Sequence, residues 1–412
     1  MEKKRVVITG MGTVNPMGNS VHDTWKAIMD GKSGITPITA FDPSNVSTKI
    51  AGNVKDFDYK DYFSDKYVKS AKRMDQFCHY GVAAMKEASE QARLHEISDR
   101  RRVGVAIGSG IGGLNVQHSN SVALSTKGPR RVSPFYIPMA IGNMASGIIS
   151  MIYNLKGPNL AMQTACATAN HAIASSLMII QNGMADVMAA GGAEGTLNEL
   201  AIAGFGNMRA ISTRNDDPET ASRPYDKDRD GFVLSEGSAV LILEEYEHAK
   251  ARGAEIFGEV LSCGMSGDAY DFVAPDPEGG GALYSMQMAL EQAEIKPHQL
   301  KYINSHGTST PTGDIAEAKG IYELIGDNEC YIGSTKSYHG HLLGATAGLE
   351  AIITLNAMLE KTVPANKNLF NPDPELPSIA LPTEKVKTDI PYALSNSFGF
   401  GGHNSSLVLA SV

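Results

Sequence analysis

The chain has 412 residues, of which 42% are hydrophobic and 20% charged, and a formal net charge of −9 at pH 7. This length allows two domains or one large body with an ample core, and the acidic balance excludes general nucleic-acid binding. The four cysteines are widely separated and form no CxxC pair, which excludes a disulfide framework and fits a reducing, cytoplasmic location. The uncharged run 157–185 carries too many polar side chains for a membrane span, so we expect a buried helix there.

The first part of the chain predicts strands that alternate with helices. Strands are expected at 6–10, 103–107, 159–163, 185–191 and 238–243, and helices from about residue 22 and at 74–95, 138–154 and 172–180. The run 159–163 is mostly apolar and indicates a buried strand.

A second series of elements begins near Gly258. Strands are expected at 258–262, 302–305, 331–334, 392–395 and 406–410, and helices at 282–294 and 344–360. Alternating strands and helices predict an α/β protein with mainly parallel sheets under helical cover. We therefore predict one compact body in two halves, residues 1–255 and 256–412. The long loops 212–230 and 264–281 are typical of functional segments.

Cys166 lies in the stretch TACATANH (164–171), between a predicted strand and a predicted helix. The dipole of a helix favours the thiolate form of a cysteine at its N-terminus, and the thiolate is the nucleophilic form. Small residues on both sides leave room for a substrate. A free cysteine in apolar surroundings is also a common packing residue, so this stretch alone leaves both interpretations open.

Three further stretches follow predicted strands and are rich in glycine and hydroxyl side chains: NSHGTSTP (304–311), STKSYHGH (334–341) and NSFGFGGH (396–403). The first two place His306 and His341 beside small neighbours. The glycines of the third leave backbone N–H groups free to point at a ligand. A single histidine at a strand end is more often structural, but two of them together with Cys166 favour acyl transfer through a thioester.

Two other motifs resemble binding loops but lack a required residue. GSGIGG (108–113) fits GxGxxG after a strand, yet no acid follows about twenty residues later. DKDRDG (226–231) resembles the start of a calcium loop, but its twelfth position is Gly237 where a glutamate is needed. We therefore expect neither a dinucleotide nor calcium at these loops.

Positive charge is concentrated in two clusters on this acidic chain. No acid occurs from residue 100 to residue 185, and the segment before that span has basic residues with the spacing of one helix face. The residues of the two clusters include Lys66, Lys69, Arg73, Arg130 and Arg131. Solvated helix faces explain any single one of them, but the two clusters together predict a docking surface for an acidic partner.

Four motifs resemble those of the β-ketoacyl-acyl carrier protein synthases: TACATANHA, NSHGTSTPTGDIAE, STKSYHGHLLGATAG and NSFGFGGHN. They occur in the family's order, and the similarity runs from VVITGMGTVNPMG to the last predicted strand. It is greatest to the elongating type II enzymes of bacterial fatty acid synthesis. The resemblance implies a thiolase-like fold, with two similar halves stacked as five layers α-β-α-β-α, and a homodimer.

The resemblance also implies the roles of individual residues. Cys166 would be the acylated nucleophile, His306 and His341 would complete a Cys-His-His triad, and Lys336 would support them through its charge. Backbone N–H groups of Cys166 and Phe400 would form the oxyanion hole. The implied reaction transfers a fatty acyl group from acyl carrier protein to the cysteine. Malonyl-carrier protein then loses CO2, and its enolate, held by the two histidines, attacks the acyl group.

Other positions match binding residues of the family. Thr308 and Thr310 resemble the threonines that bind the pantetheine arm, and Ile111, Phe205 and Phe400 resemble the lining of the acyl pocket. The positions that match a structural Na+ or K+ site are Asn304, Ser305, Glu350, Ser395 and Asn396. The basic residues above, together with Arg209, match the docking face for acyl carrier protein. No organic cofactor is expected, because decarboxylation of malonate supplies the carbanion.

Two alternatives stay open on the sequence alone. A polyketide ketosynthase shares every catalytic motif, whereas a non-catalytic partner of the chain-length-factor type would lack Cys166. Initiating synthases carry Asn where this chain has His341, which favours elongation. Ser235, the pair 169–170 (Ala-Asn) and His403 depart from the family pattern around the acyl pocket.

Overall fold

The computed structural model describes residues 3–412. The strands are β1 Val6–Val14, β2 Ile35–Pro37, β3 Ile50–Gly52, β4 Val103–Gly108, β5 Asn159–Leu160, β6 Val187–Glu194, β7 Gly237–Glu245, β8 Gly258–Gly267, β9 Tyr302–Asn304, β10 Tyr331–Gly333, β11 Thr362–Val363, β12 Val386–Lys387, β13 Tyr392–Gly399 and β14 His403–Ala410. The α-helices are α1 Val21–Met29, α2 Asp65–Ala71, α3 Gln76–Gln91, α4 Leu114–Lys127, α5 Tyr136–Ala140, α6 Met144–Tyr153, α7 Thr168–Gln181, α8 Glu199–Asn207, α9 Tyr246–Ala251, α10 Gly280–Ala293, α11 Pro311–Ile325, α12 Lys336–His339 and α13 Thr346–Leu359.

Ten of the strands form one sheet, in the order β10-β9-β13-β14-β8-β1-β7-β6-β4-β5. Helices α3 and α6 pack on the outer face of its first half, and α10 and α11 pack on the outer face of its second half. Helices α7 and α13 lie between the halves and contact both, within the largest apolar cluster. This arrangement confirms the five layers that the family resemblance implies.

Strand directions differ from the sequence-based prediction. Strand β7 runs antiparallel to β1 and β6, and β14 runs antiparallel to β8 and β13. The prediction of mainly parallel sheets is therefore wrong. In the ten-stranded sheet, the parallel neighbours are β4 with β5 and β6, and β9 with β10 and β13. The halves join where β1 pairs with β8 over two residues. The predicted division at residue 255 lies between α9 and β8 and stays a prediction.

Several predicted elements have different limits. The expected strand 159–163 is reduced to β5, whose two residues are exposed at the sheet edge, so its predicted burial is wrong. The expected helix 138–154 is two helices, α5 and α6, because Ile141 is extended between them. Helices α4 and α11 were not predicted.

The uncharged run 157–185 contains the expected buried helix, which is α7. Its alanine and isoleucine side chains are buried in the central layer between the two halves of the sheet. Within residues 3–412, no helix is long and apolar enough to cross a membrane.

Candidate active site

Cys166 lies in a short 3-10 turn, Ala165–Ala167, that leads directly into α7. The preceding residue, Ala165, has a φ of 49°, a left-handed conformation that is unfavourable for any residue with a Cβ. Such strain is typical of functional sites, where the surrounding structure holds it in place. The thiol is nearly buried and lines a cavity of about 550 Å3.

His341 contacts the cysteine directly. Its Nε2 lies 3.0 Å from the Sγ of Cys166, and its Nδ1 lies 3.0 Å from the hydroxyl oxygen of Thr346. Burial, followed by the charge of Lys336, lowers the pKa of His341 well below its ordinary value. The imidazole is therefore neutral at neutral pH and can accept a proton.

The thiol of Cys166 is protonated at rest. Burial raises its pKa to about 12, although Lys336 and the backbone N–H groups of Cys166 and Phe400, both directed at the sulfur, act to lower it. Burial therefore acts against the stabilisation of the thiolate that is expected from the helix dipole. A neutral thiol needs a base to become a nucleophile, and His341 is within reach.

His306 completes the group at the cavity floor. Its ring centroid lies 5.4 Å from that of His341, and the donor atoms of Cys166, His306 and His341 lie within 4.8 Å of one another. Burial and then Lys336 lower the pKa of His306 well below its ordinary value. Although Cys and His also bind soft divalent ions, the ammonium of Lys336 disfavours a second cation here.

Lys336 is buried and begins α12. Its Nζ donates to Glu350 Oε1 at 2.6 Å, which leaves the ammonium with one charged partner inside the protein. Its position explains why it affects the pKa of all three residues of the predicted triad.

Glu317 holds the loop that carries His306. Its carboxylate accepts hydrogen bonds from the backbone N–H of His306 at 2.8 Å and of Gly307 at 2.7 Å. Burial raises the pKa of Glu317 to about 7. Glu317 is the last residue of the motif NSHGTSTPTGDIAE, and its role was not predicted from the sequence.

Glu194 explains the glycine motif that lacked a dinucleotide site. Its buried carboxylate accepts from the hydroxyl of Ser109 at 3.0 Å and from the backbone N–H of Gly110 at 2.8 Å and Gly344 at 3.1 Å. The glycine loop thus wraps around a carboxylate of the protein itself. It thereby joins the segment after β4 to the segment that follows His341.

The predicted substrate-binding residues line the same cavity. They are Ile111, Phe205, Thr308, Thr310 and Phe400, with Arg209 at the same wall. The hydroxyl oxygens of Thr308 and Thr310 lie 3.0 Å apart. Phe232, which the sequence analysis missed, packs edge-on between Phe205 and His341, with ring centroids 5.3 Å from each.

The five positions predicted for a cation are brought together in part. Asn304, Glu350 and Ser395 are fully buried, and each has a side-chain oxygen with no hydrogen-bond partner among residues 3–412. Oxygen donors of this kind suit an alkali cation, and the donor set fits the predicted site.

The other two predicted side chains are directed elsewhere. The hydroxyl of Ser305 accepts from Tyr225 at 2.6 Å and donates to a backbone carbonyl. The amide of Asn396 donates to Glu317 at 3.2 Å, on the opposite face of β13 from Ser395. Through their side chains, Ser305 and Asn396 do not join the group.

The basic residues lie on the surface in two adjacent places. Lys66 and Lys69 are exposed on α2, while Arg73 lies two residues beyond the end of that helix rather than on its face. The guanidinium of Arg73 stacks 4.5 Å from the ring of Phe135, just after the 3-10 turn 129–131 that contains the two predicted arginines. One basic surface therefore extends across both segments.

The chain is similar to known proteins over its whole length. The family "Beta-ketoacyl synthase, N-terminal domain" matches residues 3–249, and "Beta-ketoacyl synthase, C-terminal domain" matches residues 257–370. The chain is 49% identical to 3-oxoacyl-[acyl-carrier-protein] synthase 2 of Vibrio harveyi, over 100% of both chains. It is 48% identical to the protein of that name from Synechocystis sp., over 99% of this chain and 98% of the other.

Solved structures show the same fold. A beta-ketoacyl synthase from Burkholderia phymatum has a TM-score of 0.92 and 32% identity, over 99% of this chain and 100% of the other. A second solved structure is a type II polyketide synthase acyl-carrier protein in complex with its ketosynthase, bound to the hexaketide. It has a TM-score of 0.91 and 29% identity, over 100% of both chains. From its sequence, its thiolase-like fold and its cysteine–histidine site, the chain belongs to the beta-ketoacyl synthase family.

Proposed function

We propose that this chain is an elongating 3-oxoacyl-[acyl-carrier-protein] synthase of type II fatty acid synthesis. It is an acyltransferase that condenses malonyl-acyl carrier protein with a Cys166-bound fatty acyl group, giving 3-oxoacyl-acyl carrier protein and CO2. The observation that carries the proposal is the convergence of Cys166, His306 and His341 at the floor of one cavity. The 49% identity to synthases of this name over the whole chain supports it.

In the first half-reaction, the thiol becomes a thioester. His341 Nε2 takes the proton of Cys166 while the sulfur attacks the acyl carbonyl carbon. The backbone N–H groups of Cys166 and Phe400 stabilise the tetrahedral oxyanion, and removal of one such donor typically costs about 2.7–4 kcal/mol. The carrier-protein thiolate then leaves and takes the proton from His341. The hydroxyl of Thr346 can accept from Nδ1–H during this step.

In the second half-reaction, the malonyl group loses CO2. The electron pair of the broken C–C bond forms an enolate, whose oxygen accepts hydrogen bonds from His306 and His341 while Lys336 supplies positive charge nearby. The enolate carbon attacks the acyl carbonyl carbon, the bond to the sulfur of Cys166 breaks, and the released thiolate takes up one proton from solvent, which restores the thiol. His341 must now donate from Nε2, and the hydroxyl of Thr346 can donate to its Nδ1.

The carbanion comes from decarboxylation, so we propose that no organic cofactor is needed. A Na+ or K+ ion would be held by side-chain oxygens of Asn304, Glu350 and Ser395, with Ser305 and Asn396 contributing only through their main chain. Bound there, the ion would neutralise buried oxygen dipoles and stabilise the segments that carry the site.

Acyl carrier protein is the proposed partner. Its acidic surface would meet the basic surface formed by Lys66, Lys69, Arg73 and the arginines of turn 129–131, with Arg209 at the cavity. One of the similar solved structures is a ketosynthase in complex with an acyl-carrier protein, which supports this proposal. Charge complementarity of this kind chiefly speeds association and selects the partner.

The second proposed partner is another copy of this chain. Leu160 of the edge strand β5 is exposed, and so are Ile137, Ile141 and Met151 in the preceding segment, whose helix α6 contacts β5. An exposed sheet edge beside an apolar patch favours association with a second chain. A homodimer through this edge would cover both.

A polyketide ketosynthase is the second candidate, because a ketosynthase of that type shares the fold at a TM-score of 0.91. Its identity of 29% is well below the 49% of the fatty acid synthases. Purified protein, incubated with malonyl-carrier protein and saturated acyl-carrier proteins of increasing length, distinguishes the two. A fatty acid synthase gives one two-carbon extension, whereas repeated extension without reduction indicates polyketide synthesis. A non-catalytic partner would give neither product.

A further inference from the structure

Asn170 has a buried side-chain oxygen that nothing in the proposed mechanism uses. The residue is fully buried in the first turn of α7, four positions after Cys166. Its Oδ1 has no hydrogen-bond partner among residues 3–412. A buried polar atom left unpaired is unfavourable, so its presence calls for a ligand or a water.

The amide of Asn170 is fixed beside Ser395. Its Nδ2 donates to the backbone carbonyl of Ser395 at 3.2 Å. Exchanging the amide oxygen and nitrogen would place two oxygens against each other, so this orientation is required. Oδ1 is bonded to the same carbon as Nδ2, so it lies in the same buried region as Ser395, whose own hydroxyl oxygen has no partner among the described residues.

The oxygens of Asn304 and Glu350 lie in the same layer. Ser395 and Asn304 are paired in register on parallel strands, so their side chains share one face of the sheet, and α13 packs on that face. The amide of Asn304 donates to the backbone carbonyl of Glu350 at 3.2 Å. Two strands and two helices thus contribute four unpaired oxygens, from Asn170, Asn304, Glu350 and Ser395.

The chemistry of this group favours a monovalent ion. Its donors are three neutral oxygens and one carboxylate oxygen, the type of ligand that hard cations bind. The other oxygen of Glu350 is already paired with the ammonium of Lys336 at 2.6 Å. A divalent ion would add two charges beside that buried ammonium, whereas Na+ or K+ adds one.

We propose that Asn170 is a ligand of the monovalent cation site. The ion would then connect the helix that follows Cys166 to β9, which leads to His306, and to Glu350, the partner of Lys336. The inference rests on the cation site proposed above, and its test separates the two.

The first test is the dependence of thermal unfolding on the cation. Wild-type protein, dialysed into choline chloride, is titrated with KCl and with NaCl at constant ionic strength. We expect a saturable rise in unfolding temperature with K+ or Na+. Asn170→Leu keeps a similar side-chain volume but lacks the oxygen, so the half-saturating concentration of the cation should rise at least tenfold. Asn170→Ala should show the same rise. Ser176→Ala is the matched control, because it removes a buried, unpaired oxygen elsewhere on the same helix.

Crystals grown with RbCl give a readout that does not depend on the variants. The proposal predicts an anomalous peak in contact with the side-chain oxygens of Asn170 and Ser395. If neither K+ nor Na+ stabilised the wild type specifically, and the crystals showed only water between these oxygens, both the cation site and the role of Asn170 would be refuted. A Rb+ peak away from Asn170, or an unchanged half-saturating concentration in both Asn170 variants, would refute the role of Asn170 alone.

Discussion

Nε2 of His341 lies 3.0 Å from Sγ of Cys166, although the two residues are 175 positions apart in the chain. The two residues come from different halves of the protein, and the central helices α7 and α13 pack those halves together. Burial makes the thiol a weaker acid and the imidazole a weaker base, so both are neutral at rest. The proposed chemistry depends on this neutral pair exchanging a proton only when a substrate carbonyl is present.

The two histidines should differ in the step that they affect. His341 contacts the sulfur, so His341→Ala should slow acylation of Cys166 by about 10²-fold or more, as expected for loss of a general base. His306 has no hydrogen bond to the sulfur, so His306→Ala should retain acylation within a few-fold and lose condensation. Stopped-flow acylation and product formation separate the steps, and equal losses of acylation in both variants would contradict the assignment.

Alkylation of Cys166 should depend on pH differently in wild type and His341→Ala. With a thiol pKa of about 12, the thiolate fraction in the variant should rise about tenfold per pH unit between pH 7 and 9. In the wild type the slope should be shallower, because neutral His341 can take the proton throughout this range. Iodoacetamide rates followed by mass spectrometry measure both. Identical slopes would show that His341 does not share the proton of the thiol.

Thr346 should support both steps through its hydroxyl. In Thr346→Val the Nδ1 of His341 loses its hydrogen-bond partner, which typically costs about 1–3 kcal/mol for a buried polar atom. We expect acylation and condensation to slow by about tenfold, with the KM for acyl-carrier protein unchanged. Thr346→Ser keeps the hydroxyl and should restore the rates. A Val variant as fast as the Ser variant would exclude this role.

The buried Lys336–Glu350 pair should be more important for stability than exposed pairs. Lys336→Met removes the ammonium that pairs with the buried carboxylate of Glu350, which is expected to lower the free energy of unfolding by about 3–5 kcal/mol. The double variant Lys336→Met/Glu350→Gln should recover most of this loss but stay inactive. Lys361→Met, from an exposed pair with Asp389, is the control and should cause no measurable change. Urea unfolding followed by circular dichroism compares the three, and a double variant no more stable than Lys336→Met would contradict the pairing.

The sequence identified the reacting side chains of the site better than the residues that position them. Cys166, His306 and His341 each follow a strand among small residues, a local pattern that is visible without the fold. Glu194 acts on the site only because the fold brings distant segments together, and its neighbours in sequence give no such signal. Thr346 lies five positions after His341 inside the recognised motif STKSYHGHLLGATAG, but the motif alone does not show that its hydroxyl reaches the imidazole. Glu317 was accessible in principle, since it closes a motif that was already recognised.

The main strands and several helices of the fold were predicted from the sequence, but the directions of the strands were not. Apolar runs located the main strands, yet a run such as 238–243 has the same pattern whether its neighbours are parallel or antiparallel. The burial of 159–163 was overestimated because β5 lies at the edge of the sheet, a position that composition does not reveal. Arg73 was expected on the face of a helix but lies beyond the end of α2, and the basic residues alone do not show where that helix ends.

Mass spectrometry of Cys166 tests the central claim most directly. Wild-type protein and Cys166→Ala are incubated with acyl-carrier protein and then with malonyl-carrier protein, and both the intact protein and the carrier-bound products are weighed. The account predicts an acyl adduct on Cys166 of the wild type alone, discharged on addition of malonyl-carrier protein to a 3-oxoacyl product two carbons longer with release of CO2. An unmodified Cys166 with malonyl-carrier protein left intact would contradict it.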